Sequence, residues 1–131
     1  MMKENKVRAL LNSGRPGVST RMWSTWPGYL ESLGNIGKYD YFEFVAEYVP
    51  FTQEELANLA RTAELYDMGS MIMVDFMNRG YVAQRAIAAG FQSVLFSDHH
   101  TAAEVRETVN MVKPEGPGSE GHFGYPNARF I

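Results

Sequence analysis

The chain has 131 residues, 45% of them hydrophobic, and a net charge of −3 at neutral pH. This length suits one domain with a real core, and the charge gives no electrostatic reason to expect nucleic acid. The absence of cysteine excludes disulfides and thiolate chemistry and makes a reducing cytoplasm the default compartment. No stretch of about 18 apolar residues appears, so no membrane span is expected.

The predicted elements alternate between strands and helices. A short amphipathic helix within residues 1–14 comes first and is expected to cover one end of a sheet. Strands are predicted at 17–23, 39–48, 70–76 and 91–98, and helices at 26–37, 50–69, 79–90 and 101–112. Thr52 with Glu55, and Thr101 with Glu104, are typical capping boxes. Residues 113–131 are rich in glycine and proline and show no regular element.

Four strand–helix units in series imply parallel strands with right-handed crossovers. Two architectures fit this order. One is a small doubly wound open sheet, which about 130 residues could complete. The other is half of a (β/α)8 barrel, which usually needs about 250 residues. We expect residues 1–112 to form the four units with the N-terminal helix, and residues 113–131 to form a loop or linker.

The stretch "YDYFEFVAEY" (39–48) alternates with period two, so its phenylalanines share one face and its glutamates the other. The phenylalanine face suits packing on helices. Glu43 and Glu47 then point toward a barrel interior, with Glu47 nearest the carboxyl end of the strand, where α/β active sites form. A buried carboxylate is costly unless it is paired, hydrogen-bonded or metal-bound. The two glutamates therefore indicate either a functional site or a structural ion pair.

Other polar residues fall at the same strand ends. Arg21 lies near the end of the first strand, Asp75 ends the third, and Asp98, His99 and His100 follow the fourth. Carboxylates with a histidine can bind a divalent ion or act as acid and base. An arginine can bind a carboxylate through two hydrogen bonds. The sequence therefore predicts a polar rim around the carboxyl ends of the strands.

Each of these residues also has a structural interpretation. Asp98 and Thr101 could cap the following helix, and His99 and His100 could be solvated loop residues. Trp23 and Trp26 flank the end of the first strand and would line a pocket or join the core. The glycine-rich loop in 113–131 could cradle an anion or act as a flexible linker.

The sequence resembles the 2-oxo-acid aldolases of the 4-hydroxy-2-oxoheptanedioate aldolase type, relatives of the citrate lyase β-subunit. The resemblance runs from "KENKVRALLNSGRPGVST" through "YDYFEFVAEYVPFT" and "AQRAIAAGFQSVLFSD" to "TAAEVRETVNMVKPEGPGSEGHFG" and covers nearly the whole chain. Its most specific parts are the E-x-x-P-F turn, the A-x-x-A-G-F-Q-S run and the P-x-G…G-x-G loop. It implies the first half of a Mg²⁺- or Mn²⁺-dependent barrel that makes or cleaves a carbon–carbon bond next to a pyruvate-like enolate.

The chain departs from the family pattern at the site. The motif after strand two is roughly D-x-E-H-G-P, and this chain keeps Glu47 and Pro50 but has Val45 for the aspartate and Tyr48 for the catalytic histidine. The family arginine on strand three falls near Val74. In their place, Arg21 on strand one could bind the substrate carboxylate, and Asp98 and His99 could take over proton transfer. We therefore expect a divergent subgroup with different chemistry or substrate.

A second departure concerns the metal. In the family the metal carboxylates come from strands five and six, so the ligands of Mg²⁺ or Mn²⁺ are expected outside this chain, and no metal ligand is assigned within it. A half barrel also leaves two sheet edges unpaired and an apolar inner face exposed. We expect a second copy or a second polypeptide to close the barrel, unless the sequence is a fragment.

The leading hypothesis is a divergent aldolase-like carbon–carbon lyase that acts on a 2-oxo acid or dicarboxylate in the cytoplasm, without nucleic-acid or membrane partners. Its expected catalytic residues are Glu47, Tyr48 and His99, and its expected substrate-binding residues are Arg21, Trp23, Asp75 and Asp98. The alternative is a non-catalytic structural or regulatory subunit of a split barrel. A flavodoxin-like binding module is a third possibility.

Overall fold

A computed structural model describes residues 3–124 of the chain, in which strands and helices alternate. The elements in chain order are α1 (Lys6–Ser13), β1 (Ser19–Met22), α2 (Pro27–Ile36), β2 (Tyr41–Val45), α3 (Gln53–Leu65), β3 (Gly69–Val74), α4 (Arg79–Ala89), β4 (Ser93–Phe96) and α5 (Ala102–Val112). Every predicted strand and helix is therefore found, with ends that differ by a few residues.

The four strands form one parallel sheet in the order β1-β2-β3-β4. A doubly wound open sheet would reverse its strand order at a switch point, where the crossovers change sides of the sheet. Here each strand lies beside the one before it, as in a barrel. The sheet order therefore confirms four successive βα units of the half-barrel type.

The hydrophobic core lies between one face of the sheet and the helices. Phe42 and Phe44 on β2 are fully buried there, as are Leu56 and Leu59 on α3. Burying one such side chain stabilises the fold by about 1.5–3 kcal/mol. Because paired residues share a face, the opposite face carries Arg21, Glu43, Met71, Met73 and Leu95.

Both predicted capping boxes are confirmed. The Thr52 hydroxyl accepts a hydrogen bond from the Glu55 backbone N–H, and the Glu55 carboxylate accepts one from the Thr52 N–H. Thr101 and Glu104 repeat the arrangement at the start of α5. Each box satisfies backbone donors that a helix leaves unpaired in its first turn.

The first helix lies at the amino-terminal end of the sheet. The Asn5 amide donates to the Gln92 carbonyl oxygen at 2.6 Å, and the Gln92 amide donates to the Glu4 carbonyl oxygen at 2.9 Å. Gln92 directly precedes β4. Lys6 pairs with Asp67, just before β3, at 2.6 Å. The predicted role of this helix, covering one end of the sheet, is confirmed.

The predicted extent of the second strand is wrong. β2 ends at Val45, and residues 46–48 form a turn in which the Tyr48 N–H donates to the Val45 carbonyl oxygen at 3.2 Å. Glu47 therefore lies on the turn after the strand and not on the strand face of Glu43. The alternation misled the prediction because Ala46 still packs against the core and its N–H still donates to the Met73 carbonyl oxygen of β3 at 3.0 Å, so the strand-like pattern continues one residue past the end of β2.

Residues 113–124 fold back against the end of α5. The His122 N–H donates to the Asn110 carbonyl oxygen at 2.7 Å, and the Phe123 N–H donates to the Lys113 carbonyl oxygen at 3.1 Å. The rest of the predicted loop, 125–131, lies outside the described residues. Between residues 3 and 124, no helix has both the length and the apolar character that crossing a membrane requires.

Candidate functional site

The carboxyl ends of the four parallel strands lie along one edge of the sheet. Trp23 follows β1, Glu47 and Tyr48 follow β2, Asp75 follows β3 and Asp98 follows β4. Active sites of parallel α/β folds form at this end because the loops there converge while the sheet stays rigid. The fold thus places most of the predicted site residues on the expected rim.

Trp23, Glu47 and Tyr48 form a cluster on this rim. The Trp23 and Tyr48 rings stack with their centroids 5.6 Å apart and an angle of 12° between their planes. The neighbouring Glu47 side chain raises the pKa of Tyr48 above its ordinary value, first through hydrogen bonding to the phenol and then through its negative charge. Tyr48 is therefore a protonated hydrogen-bond donor at neutral pH.

The second oxygen of Glu47 has no partner. Its Oε2 atom is buried and makes no hydrogen bond with any described residue. A buried acceptor left without a partner costs about 1–3 kcal/mol, and more if it is charged. Glu47 also lines an open cleft of about 730 Å³. Among the described residues, this oxygen is therefore an acceptor without a partner, on a residue that borders the cleft.

Asp75, which the sequence predicted, lines the same cleft as Glu47. Gln53, Tyr81 and Arg85, which the sequence did not indicate, line it as well. The Gln53 amide donates to the Tyr81 hydroxyl at 2.7 Å, and the Arg85 guanidinium lies 5.4 Å from the centre of the Tyr81 ring. Arg85 gives the cleft a cation. No motif marks it, because it lies on an ordinary turn of α4.

The two predicted substrate-binding aspartates make local hydrogen bonds. One oxygen of Asp75 accepts from the Asn78 backbone N–H at 2.9 Å and from its side-chain amide at 3.0 Å, which shapes the turn into α4. Asp98 has a positive φ of 60° and accepts from the Ser97 hydroxyl at 3.2 Å. Asp75 lines the cleft with Glu47. The negative charge of Asp98 contributes to the raised pKa of Tyr48.

The two histidines face the last helix. Nε2 of His99 lies 3.0 Å from the hydroxyl of the buried Thr108 on α5, and its ring packs at 6.2 Å on Phe96. The His100 backbone N–H donates to the Glu104 carboxylate at 2.6 Å. The structure therefore does not bring His99 to Glu47, and its catalytic role stays a prediction.

Arg21 lies opposite Glu43 in the pairing of β1 with β2. Its Nε atom is 3.2 Å from Oε1 of Glu43, which is only 8% exposed. The contact has the distance of an ion pair but not the geometry of a hydrogen bond, since Oε1 has no hydrogen-bond partner in the described chain. Of the two interpretations of Glu43, the structural ion pair is the one that the geometry supports.

A metal site does not form from these residues alone. Over residues 3–124, no group of three or more His, Asp or Glu side chains is close enough to hold an ion. Asp75 and Asp98 already accept local hydrogen bonds. The described residues thus do not fit the Mg²⁺ or Mn²⁺ site that the resemblance implies, and its ligands would have to come from outside them.

Comparison with known proteins supports the fold. No protein-family model matches the sequence, and no curated protein matches it. Among solved structures, an HpcH/HpaI aldolase from Desulfitobacterium hafniense matches 100% of this chain and 50% of its own, at 20% identity with a TM-score of 0.80. An HpcH/HpaI aldolase/citrate lyase family protein from Burkholderia cenocepacia matches 93% and 48%, at 20% identity and a TM-score of 0.80.

The citrate synthase SbnG is also similar, at 21% identity and a TM-score of 0.70, over 83% of this chain and 42% of its own. The chain thus spans about half the length of these structures, and at such identities the likeness concerns the fold. The resemblance predicted from the sequence motifs is confirmed at that level: the chain has the fold of about half of an HpcH/HpaI-type aldolase chain.

Proposed function

We propose that this chain contributes strands β1–β4 and their rim to a divergent carbon–carbon lyase that acts on a 2-oxo acid or a related dicarboxylate. The observation that carries the proposal is the Glu47–Tyr48 pair at the carboxyl end of the sheet, with one buried carboxylate oxygen free beside an open cleft. A fold shared with aldolase chains supports the type of reaction.

The free oxygen of Glu47 suits a general base. In the cleavage of an aldol adduct it would take the proton of the substrate hydroxyl as the carbon–carbon bond breaks and the electron pair moves into the oxo acid to form an enolate. Tyr48 would return a proton to the enolate carbon, and its hydrogen bond to Glu47 would carry the first proton back to Tyr48. Both groups are then ready for another turnover.

The remaining rim residues would bind substrate. Arg85, in the cleft with Glu47, offers a cation for the oxo-acid carboxylate. Arg21 and Trp23 lie beside the neighbouring end of β1, and Asp75 and Asp98 border the same rim. His99 would have to leave Thr108 to reach a substrate there. We therefore propose Tyr48, and not His99, as the proton donor.

The test is release of pyruvate from an aldol adduct of pyruvate, and from oxaloacetate, by the assembly purified from its source in the presence of a divalent metal. Replacing Glu47→Gln should lower kcat by about 100-fold or more, because it removes the base. Glu54→Gln changes an exposed glutamate a few residues away and should leave the rate unchanged. Full activity of Glu47→Gln would refute the role of Glu47.

We also propose that the other half of the barrel lies outside the described residues, on a second copy, on a second polypeptide or further along the same chain. The support is that the similar structures are about twice as long as the matched region. Native mass spectrometry of the protein from its source, with and without Mg²⁺, distinguishes these cases. A lone monomer of this chain with no further domain would contradict the proposal.

A second candidate is a non-catalytic subunit of such a barrel. Val45 is fully buried and pairs with Met73 on β3, where the resemblance expects a polar residue of the site. This candidate predicts that the assembly requires the chain but that the rate does not depend on Glu47. A loss of rate in Glu47→Gln with the assembly intact would exclude it.

A further inference from the structure

A second cleft opens at the end of β1, apart from the one that Glu47 lines. It has a volume of about 320 Å³ and is lined by Arg21, Trp23, Ser24, Trp26 and Tyr29. No residue of this set lines the Glu47 cleft. Small-molecule sites begin at about 300 Å³, so this cleft has room for a ligand built on a single ring.

Aromatic side chains are unusually exposed here. The exposed fractions of Trp23, Trp26 and Tyr29 are 58%, 68% and 41%. Both tryptophans of the chain border this one cleft. Among the tryptophan, tyrosine and phenylalanine rings of residues 3–124, the only other exposed ones are Tyr48, which stacks on Trp23, and Tyr81. Exposed apolar groups that form one patch beside a cleft indicate a binding surface.

Both indoles contact neighbouring residues. Trp23 stacks on Tyr48. The Trp26 ring lies against Gly28, where a Cβ atom would come within 2.5 Å of it. The Trp26 backbone N–H donates to the Ser24 hydroxyl at 3.1 Å. A tryptophan side chain has only two rotatable bonds, so it loses little conformational entropy when a ligand stacks on it.

Arg21 supplies one charge to the cleft. Its ion pair with Glu43 uses Nε, which fixes the guanidinium from one edge. Most of the N–H donors of an arginine are on the two terminal nitrogens, and this ion pair leaves them available. A guanidinium fixed in this way presents the planar fork that matches a carboxylate.

We propose that this cleft binds a small aromatic carboxylic acid, with the carboxylate on Arg21 and the planar ring against Trp23 and Trp26. Stacking needs a flat ring, which the paired indoles favour over an aliphatic chain. The single cation matches one carboxylate. This inference deepens the proposed function and rests on it in one respect, namely that the bound acid would form part of the substrate. The binding of the acid can be measured without any catalytic activity.

The probe is benzoate, and the readout is the indole N–H signals of the two tryptophans in heteronuclear NMR. Cyclohexanecarboxylate keeps the charge without the flat ring, and benzamide keeps the ring without the charge. Benzoate should shift both indole signals with saturation and bind about tenfold or more tightly than either analogue, since each loses one of the two interactions.

Variants locate the site. Trp26→Ala removes an exposed ring with little risk to folding and should weaken benzoate binding several-fold. Arg21→Met together with Glu43→Met removes the charge without leaving a buried carboxylate unpaired, and should weaken it about tenfold or more. Arg106→Met changes an exposed arginine on α5 and should have no effect.

Three results would overturn the inference: no saturable shift in a folded protein, equal binding of benzoate and cyclohexanecarboxylate, or indoles buried by a partner chain in the assembly from the source. Its failure is separable from that of the proposed function. The loss of rate in Glu47→Gln is measured on the other cleft and does not depend on benzoate.

Discussion

Glu47 and Tyr48 are neighbouring side chains on the rim, and the first changes the pKa of the second. The pKa of Tyr48 is raised first by its hydrogen bond to Glu47 and then by the charge of Glu47. The folded state thus favours the neutral phenol. The contribution of the neutral Tyr48 phenol to the free energy of unfolding is fully present below the pKa of an unfolded tyrosine. It is lost as the pH rises through the higher pKa of Tyr48 in the folded state.

Glu47→Gln should therefore lower the pKa of Tyr48 toward its ordinary value, because the negative charge is removed. The measurement is phenolate absorbance against pH. The chain has seven tyrosines, so the titration of Tyr48 must be separated from that of the others. It is obtained by subtracting the curve of the same protein carrying Tyr48→Phe, once for the unchanged protein and once for Glu47→Gln. An unchanged Tyr48 titration in Glu47→Gln would contradict the hydrogen-bonded pair.

The Arg21–Glu43 pair gives a second prediction at this scale. Arg21→Met should lower the free energy of unfolding by about 1–3 kcal/mol, because the carboxylate of Glu43 stays buried without a counter-charge, while the partial exposure of Arg21 limits the effect. Adding Glu43→Gln should recover part of the loss. Urea unfolding measures each variant, with Arg106→Met as the exposed control. Equal stability of Arg21→Met and Arg106→Met would show that the pair contributes nothing.

The glycines inside α2 and α4 differ in their surroundings. A Cβ atom on Gly34 would lie 2.4 Å from the ring of Tyr66, close to its attachment to the backbone. A Cβ atom on Gly80 would meet only the flexible side chain of Met111, whose sulfur would be nearest at 3.1 Å. Glycine within a helix costs about 0.5–1 kcal/mol relative to alanine, so the two positions should respond in opposite directions.

Gly34→Ala should lower the free energy of unfolding by about 1–3 kcal/mol, because the clash with Tyr66 outweighs the gain in helix propensity. Gly80→Ala should leave it unchanged or raise it slightly. Thermal and urea unfolding of both variants test the pair. If Gly34→Ala were the more stable of the two, Tyr66 would not pack on α2 as described.

The elements themselves were largely predictable. Alternation, apolar spacing and the two capping boxes depend on local sequence, and all the helices and strands follow from them. The end of β2 was not predictable, because only pairing with β3 shows where the strand stops. Arg85 was missed for a similar reason: it joins Glu47 only when α4 packs beside the turn after β2.

In the described part of the chain, the helices cover one face of the sheet, and the opposite face is buried at Val45 but exposed at Leu95. Leu95 on β4, 36% exposed, lies beside Met73 on the face opposite the core. β1 and β4 are the edges of the described sheet, and each pairs on one side only. Apolar surface next to an unpaired strand edge promotes association.

Leu95→Glu should reduce self-association of the isolated chain, because it places a charge on that face, and should leave the unfolding transition nearly unchanged. Sedimentation velocity over a range of protein concentrations measures the self-association. Val94→Glu, one residue earlier on the core face, should unfold the protein instead. An isolated chain that stays monomeric at all concentrations would refute the prediction.

The contact between Asn5 and Gln92 joins residues 87 positions apart in the chain, and α1 has no buried residue of its own. Closing such a long loop is entropically costly, so α1 would dock late in folding, after β4 is in place. With so little apolar burial it would also detach first in the native state. Amide hydrogens of α1 should exchange with deuterium well before those of β2 and β3, although all three belong to one domain.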